Sequence, residues 1–259
     1  MKTDLPSDGS QMLIVARYEI LKYLRGKKLL AFIGLMALII GLLTFTPYLL
    51  GEGLPGDPRD LMMTYMGFIS ITIILAVTLF ATDSIASEYE YRTGLLLFPR
   101  PMKREVLFGG KFLASYLVSA VMITIFYLSV YIISLVVTGS VVSEGFTSLG
   151  MALLYVLAAT GLGFLLSSFL SRGSTAAILL FALLLMLFPI IDLALMASGT
   201  EPVFSLTYSG DAAYHAVSGT ETYMVFGFIP QLSTSAMVLL MWAVLTTAIA
   251  ALKFKRREF

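Results

Sequence analysis

An all-α polytopic membrane protein with six transmembrane helices is the fold this sequence predicts, on three observations. Of its 259 residues, 58% are hydrophobic and only 13% are charged, against about 25% charged in a soluble domain. The apolar residues fall in runs of roughly twenty, the length that crosses a ~30 Å hydrocarbon layer as a helix. The Lys and Arg residues alternate from loop to loop, as an even number of spans requires. Backbone in contact with lipid must satisfy its own hydrogen bonds, so the spans are helices. The short alternating segments of a β-barrel do not dominate.

The polar stretch 1–10 leads into an amphipathic segment, with Ser10 placed to cap its helix. From Gln11 to Lys27, the polar residues Gln11, Glu19, Lys22 and Arg25 share about a third of the helical wheel. Most of the remainder is apolar. With Arg17 among its charges, this reads as an interfacial helix lying on the membrane, and residues 1–28 form a tail plus that helix. The first apolar run has no small-residue cleavage site after it, so it is expected to be an uncleaved span.

Residues 29–252 are expected to form the transmembrane domain, with spans at about 29–49, 61–82, 106–137, 147–170, 175–197 and 232–252. The Gly, Pro and Asp-rich loop 51–60 joins the first two. A charged segment, 83–105, separates the second and third. The turn Ser171-Arg172-Gly173-Ser174 joins the fourth and fifth, and Pro189 lies late in the fifth. The connection 198–231, rich in Tyr and Phe, is expected to hold a short helix or a re-entrant hairpin over the mouth of the bundle. A basic tail, 253–259, closes the chain.

Counted by loop, sixteen Lys and Arg fall on one side of these six spans and one on the other. The positive-inside rule then puts both termini and the 83–105 loop in the cytoplasm of a multi-pass cell-membrane protein. The same topology accounts for the basic patches, so no nucleic-acid partner is expected. With no cysteine, the chain has no disulfide, thiolate metal site or cysteine nucleophile. With no Asn, it has no N-glycosylation sequon.

The segment from Asp83 to Lys111 holds five Lys and Arg residues and four acids between two apolar runs. Glu88 and Arg92 are spaced i,i+4 on its expected helix. Pro99 ends that helix for want of an amide proton, and Pro101 suits the first turn of the next. A helix pair offered to a soluble partner and an ordinary charged loop both fit this composition.

The run I-A-S-E-Y-E-Y-R-T-G-L-L-L-F-P-R-P-M-K-R, followed by G-G-K, resembles the cytoplasmic loop of type-2 ABC permeases, the membrane subunits of ATP-driven exporters. The stretches ARYEILKYLRGKK and GLGFLLSSFLSR (161–172) are similar to that family's connecting helix and the close of its fourth span. The resemblance covers most of the chain in topology and about 60 residues in motif. It implies that Glu88, Glu90, Arg92, Thr93 and Gly94 form a coupling helix docked on a separate ATP-binding subunit. It also implies that two permease copies pair in the lipid bilayer, as a homodimer or with a related permease. ATP and Mg would sit on the partner: neither Gly26-Lys27 nor Gly110-Lys111 has the following Ser or Thr, or the earlier Gly, of a phosphate-binding loop. No catalytic, cofactor or metal site is expected on this chain.

Two residues stand apart. Asp192 is the one acid clearly inside an apolar run, about 27 Å along the helix from Ser174 and so near the outer interface. His215, the only histidine, is expected on a polar external surface; with Asp211 and Glu221 it makes a poor metal set. Readings of other classes are a proton-coupled secondary transporter centred on Asp192, and an integral membrane enzyme or accessory factor. Topology is directly measurable, because the chain lacks cysteine. A membrane-impermeant maleimide on intact cells should label Ser140→Cys and spare Lys255→Cys until lysis; the reverse pattern would invert the orientation.

Overall fold

The computed structural model describes residues 7–90, 103–218 and 227–256. Among these, every regular element is helical, with no strand. Six helices are long and apolar enough to cross a membrane: Lys27–Leu49, Pro58–Glu88, Arg104–Thr138, Glu144–Phe169, Gly173–Ala197 and Leu232–Arg256. They fall where the apolar runs predict them. The second continues to Glu88, beyond its expected end at 82, and so carries two acids, Asp83 and Glu88, past the apolar run.

A lead helix, Asp8–Arg25, precedes the first span. Ser7, and not Ser10, caps it: the Ser7 hydroxyl accepts the Ser10 N–H at 3.4 Å. Gly26, in extended conformation, separates it from the span that follows. The lead helix packs along the start of the third span, where two glycines leave room for it. A Cβ on Gly110 would lie 2.7 Å from Val15 Cβ and 2.8 Å from the Met12 carbonyl. The exposed face of the lead helix is apolar, with Leu13, Ile14, Tyr18 and Leu24, and it also carries Arg17 and Arg25. That combination suits a helix embedded at the level of lipid headgroups.

The fourth span is the axis of the bundle: 61% of its apolar window is buried, against 17% for the first and fifth spans, which lie at the periphery. Its partner is the sixth span. A Cβ on Gly161 would collide with Thr246 Oγ1 and lie 3.2 Å from the Ala243 carbonyl. Without a hydrophobic drive between helices in lipid, such small-residue contacts are what bring spans together.

Two spans are interrupted, each for a local reason. The fifth carries a π-helical stretch, Leu183–Leu187, just before Pro189. Pro189 offers no amide proton, and its ring crowds the carbonyl four residues back; the chain takes up the slack one turn earlier, where the Phe188 N–H bonds the Leu183 carbonyl. The second span breaks at Gly67-Phe68 and again at Ala81-Thr82, giving helices Pro58–Met66, Ile69–Phe80 and Asp83–Glu90.

In the connection before the sixth span, helices Leu206–Gly210 and Ala212–Ser218 join at Asp211, which stays in the right-handed helical region and donates its N–H to the Thr207 carbonyl at 3.0 Å, so the two form one bent helical segment. Gly210 sits against the Tyr155 ring, where a Cβ would be 2.6 Å from Cε1. Ser148 donates to the Ala213 carbonyl at 2.5 Å. Tyr155 lies about 16 Å along the fourth span from its start at Glu144. This segment therefore re-enters the bundle. His215 goes with it and is buried, not on a polar surface as expected, bonded through Nδ1 to Ser218 at 3.2 Å. Its burial pushes the imidazole pKa down.

Gly161→Val should overpack the fourth–sixth span contact and cost about 1–3 kcal/mol, seen as a lower Tm of the detergent-solubilised protein. Gly150→Val is the control, since a Cβ there meets nothing within 4 Å, and should leave the Tm unchanged.

Candidate functional site

At the end of the bundle that carries both chain ends, one ammonium group gathers three elements. Lys111 lies on the third span, seven residues past its start at Arg104, and is 3% exposed. A buried ammonium has three protons to place. Lys111 Nζ donates to Glu88 Oε1 at 2.7 Å, to the Ser84 carbonyl at 3.0 Å and, more distantly, to Glu19 Oε2 at 3.5 Å. Glu19 also pairs with Lys22 at 2.9 Å, so two cations face two carboxylates. Burial pushes the Lys22 pKa down, Glu19 pushes it up, and the net direction is up.

Beside this cluster, the break at Ala81-Thr82 leaves the Phe80 carbonyl without its helical partner. Three hydroxyls replace it: Tyr23 at 2.7 Å, Ser84 at 3.1 Å and Ser115 at 3.1 Å. Burial, with Glu19 adding to it, pushes the Tyr23 phenol pKa up, so it remains a donor. The start of the helix Asp83–Glu90 is satisfied from the fourth span, where Ser167 Oγ accepts the N–H groups of Ile85 and Ala86 at 3.2 and 2.9 Å.

The acids of this helix hold three different spans. Asp83 pairs with Lys28 at the start of the first span, 2.7 Å away. Glu88 reaches Lys111 on the third. Glu90 accepts the Gly173 N–H at the start of the fifth, at 3.1 Å. Gly173 must be glycine for close approach, because a Cβ there would collide with Asp83 Oδ1. Further out, Lys103 pairs with Asp8 at 2.6 Å and Lys255 with Glu105 at 2.7 Å, which brings both chain ends to the same level.

The sequence-derived candidates divide accordingly. Glu88 is engaged inside the protein, and Glu90, though exposed, accepts the Gly173 N–H. Arg92, Thr93 and Gly94 lie outside the described residues. Arg17 and Arg25 are exposed on the lead helix, and Lys22 braces Glu19. Glu19 does not share a solvent-facing stripe with Gln11, Lys22 and Arg25 as expected; it is 8% exposed and turned into the bundle. Sequence reasoning missed Lys111, Tyr23, Ser84, Ser115 and Ser167. The available signal was Lys111 itself, a charge two turns into a long apolar helix, which needs a buried partner.

Asp192 is buried within the protein. It is 4% exposed, and Oδ2 accepts the Thr207 hydroxyl from the re-entrant segment at 2.5 Å. Among the described residues, no group of three His, Cys, Asp or Glu side chains is arranged to hold a metal ion.

Fold and site together define a six-span helical membrane protein whose short 83–90 helix is bolted to a lead helix and four of the spans. The chain belongs to the family described as Protein of unknown function (DUF2705), which matches residues 29–259. No curated protein matches it.

Removing one partner from a buried ion pair strands the other charge, at about 3–5 kcal/mol. Lys111→Met should therefore lower stability by that order in thermal melts. The double variant Lys111→Met, Glu88→Gln should recover part of the loss, because one of the stranded carboxylates is gone.

Proposed function

We propose that this chain is the permease subunit of an ATP-driven transporter of the ABC type, an exporter. Two copies, or one copy with a related permease, form the substrate path across the lipid bilayer. A separate ATP-binding subunit, carrying ATP and Mg, docks on the cytoplasmic loop between the second and third spans. The observation that carries this reading is the bolted helix Asp83–Glu90. A charged stretch that only marks topology needs no internal fastening, whereas this helix is tied by ion pairs and hydrogen bonds to the first, third, fourth and fifth spans and to the lead helix.

The fastening divides the labour among the resemblance-derived residues. Arg92, Thr93 and Gly94 are assigned to docking. Glu88 and Glu90 are assigned to transmission, since their carboxylates hold Lys111 and the Gly173 amide. A push on the loop would then move several spans as a unit. Energy passes from the ATPase only if its contacts with the loop differ between the two transport states.

Tagged protein purified in mild detergent should bring down a polypeptide with a phosphate-binding loop, at about equal stoichiometry. Arg92→Glu should weaken that capture at least tenfold while the permease inserts and melts normally. A well-expressed permease that captures no ATPase, or an Arg92→Glu variant that captures it undiminished, would count against the assignment.

A further inference from the structure

The end of the bundle away from the chain termini has an electrostatic bias beyond the scarcity of Lys and Arg there. Its loops, 51–60, 138–146 and 198–231, hold seven acids and one base, Arg59. That base is already paired with Glu144 at 2.8 Å. From Gly173 to Leu252 the sequence contains no Lys or Arg at all. A surface of one sign concentrates ligands of the other, most strongly in a recess.

Such a recess exists. A cavity of about 200 Å³ opens between the connection and the start of the sixth span, lined by Glu201, Val203, Tyr208, Gln231, Thr234 and Ser235. Tyr208 donates its phenol proton to Glu201 Oε1 at 2.8 Å and fixes the carboxylate in place. Among the described residues, no cation pairs with Glu201. Around this one charge stand the Gln231 amide and the hydroxyls of Thr234 and Ser235, each able to accept a hydrogen bond. A single carboxylate with neutral acceptors is too poor in charge for a tightly held divalent cation. It matches a group with one positive charge and several N–H donors. The volume accommodates several waters at about 30 Å³ each, or a group the size of ethanolamine.

We infer that this pocket binds a primary ammonium group, with Glu201 as its counter-ion. The source is either a free amine or the headgroup of an aminophospholipid, and the chemistry of recognition is common to both. The inference stands on the pocket alone and does not depend on the ATPase reading.

The chain supplies its own reporter. Its single tryptophan, Trp242, donates Nε1–H to the Phe204 carbonyl at 2.9 Å, one residue from Val203 in the cavity wall. The full-length protein in detergent is titrated with ethanolamine and, in parallel, with ethylene glycol, which replaces the ammonium by a hydroxyl. Ethanolamine should change Trp242 emission saturably and ethylene glycol should not. Glu201→Gln should raise the half-saturating concentration at least tenfold with the ligand-free spectrum unchanged. Tyr208→Phe, which keeps the ring but frees the carboxylate, should raise it less. In nanodiscs, a shift with phosphatidylethanolamine and no added amine, absent with phosphatidylglycerol, identifies the lipid as the source. A response to added ethanolamine alone identifies the free amine. Equal responses to ethanolamine and ethylene glycol, or an unaltered half-saturation in Glu201→Gln, would overturn the inference.

Discussion

The Lys111 ammonium is the constraint on which the end of the bundle bearing the termini depends. An ammonium this deep in protein is tolerable only if its protons are accepted and its charge is met. The acceptors come from separate parts of the chain: Glu19 from the lead helix, and the Ser84 carbonyl and Glu88 from the helix that ends the second span. Satisfying one side chain therefore fixes the relative positions of three elements. A wholly apolar contact at the same place would let these helices slide. A charge cluster with few good geometries does not, which is the attested use of buried polar groups in setting register.

The break in the second span follows from the same economy of polar groups. A helix interrupted within a membrane bundle exposes carbonyls that lipid cannot satisfy. Here Tyr23, Ser84 and Ser115 cover the Phe80 carbonyl, and Ser167 covers the N–H groups at the start of the next helix. The interruption can then redirect the chain, so that Asp83, Glu88 and Glu90 each face a different span. At the opposite end, the re-entrant helical segment is accommodated in the same way, through Ser148 on the Ala213 carbonyl and Thr207 on Asp192.

The fold was largely legible in the sequence, and the wiring of the site was not. Run length and loop charge located all six spans, because a hydrocarbon layer imposes length and composition on each helix separately. The same local signals mislead about side-chain partners. Glu19 shares a wheel sector with Gln11, Lys22 and Arg25, but periodicity cannot distinguish water from a buried ammonium on the neighbouring helix. Lys111 was counted as a loop charge because it falls near the end of an apolar run. The resemblance assigns Glu88 and Glu90 to a coupling helix, but nothing local in the sequence shows that their carboxylates reach Lys111 and the Gly173 amide. His215 looked external because its neighbours are polar, and only the path of the 206–218 segment shows it buried.

Hydrogen–deuterium exchange on the nanodisc-embedded protein tests most directly whether Lys111 binds these elements into one unit. In Lys111→Met, amides of the lead helix, 8–25, and of the 83–90 helix should lose protection together and to a similar degree, while the fourth and sixth spans keep theirs. Loss of protection confined to the residues around position 111, with both helices as slow to exchange as in the parent protein, would contradict the claim.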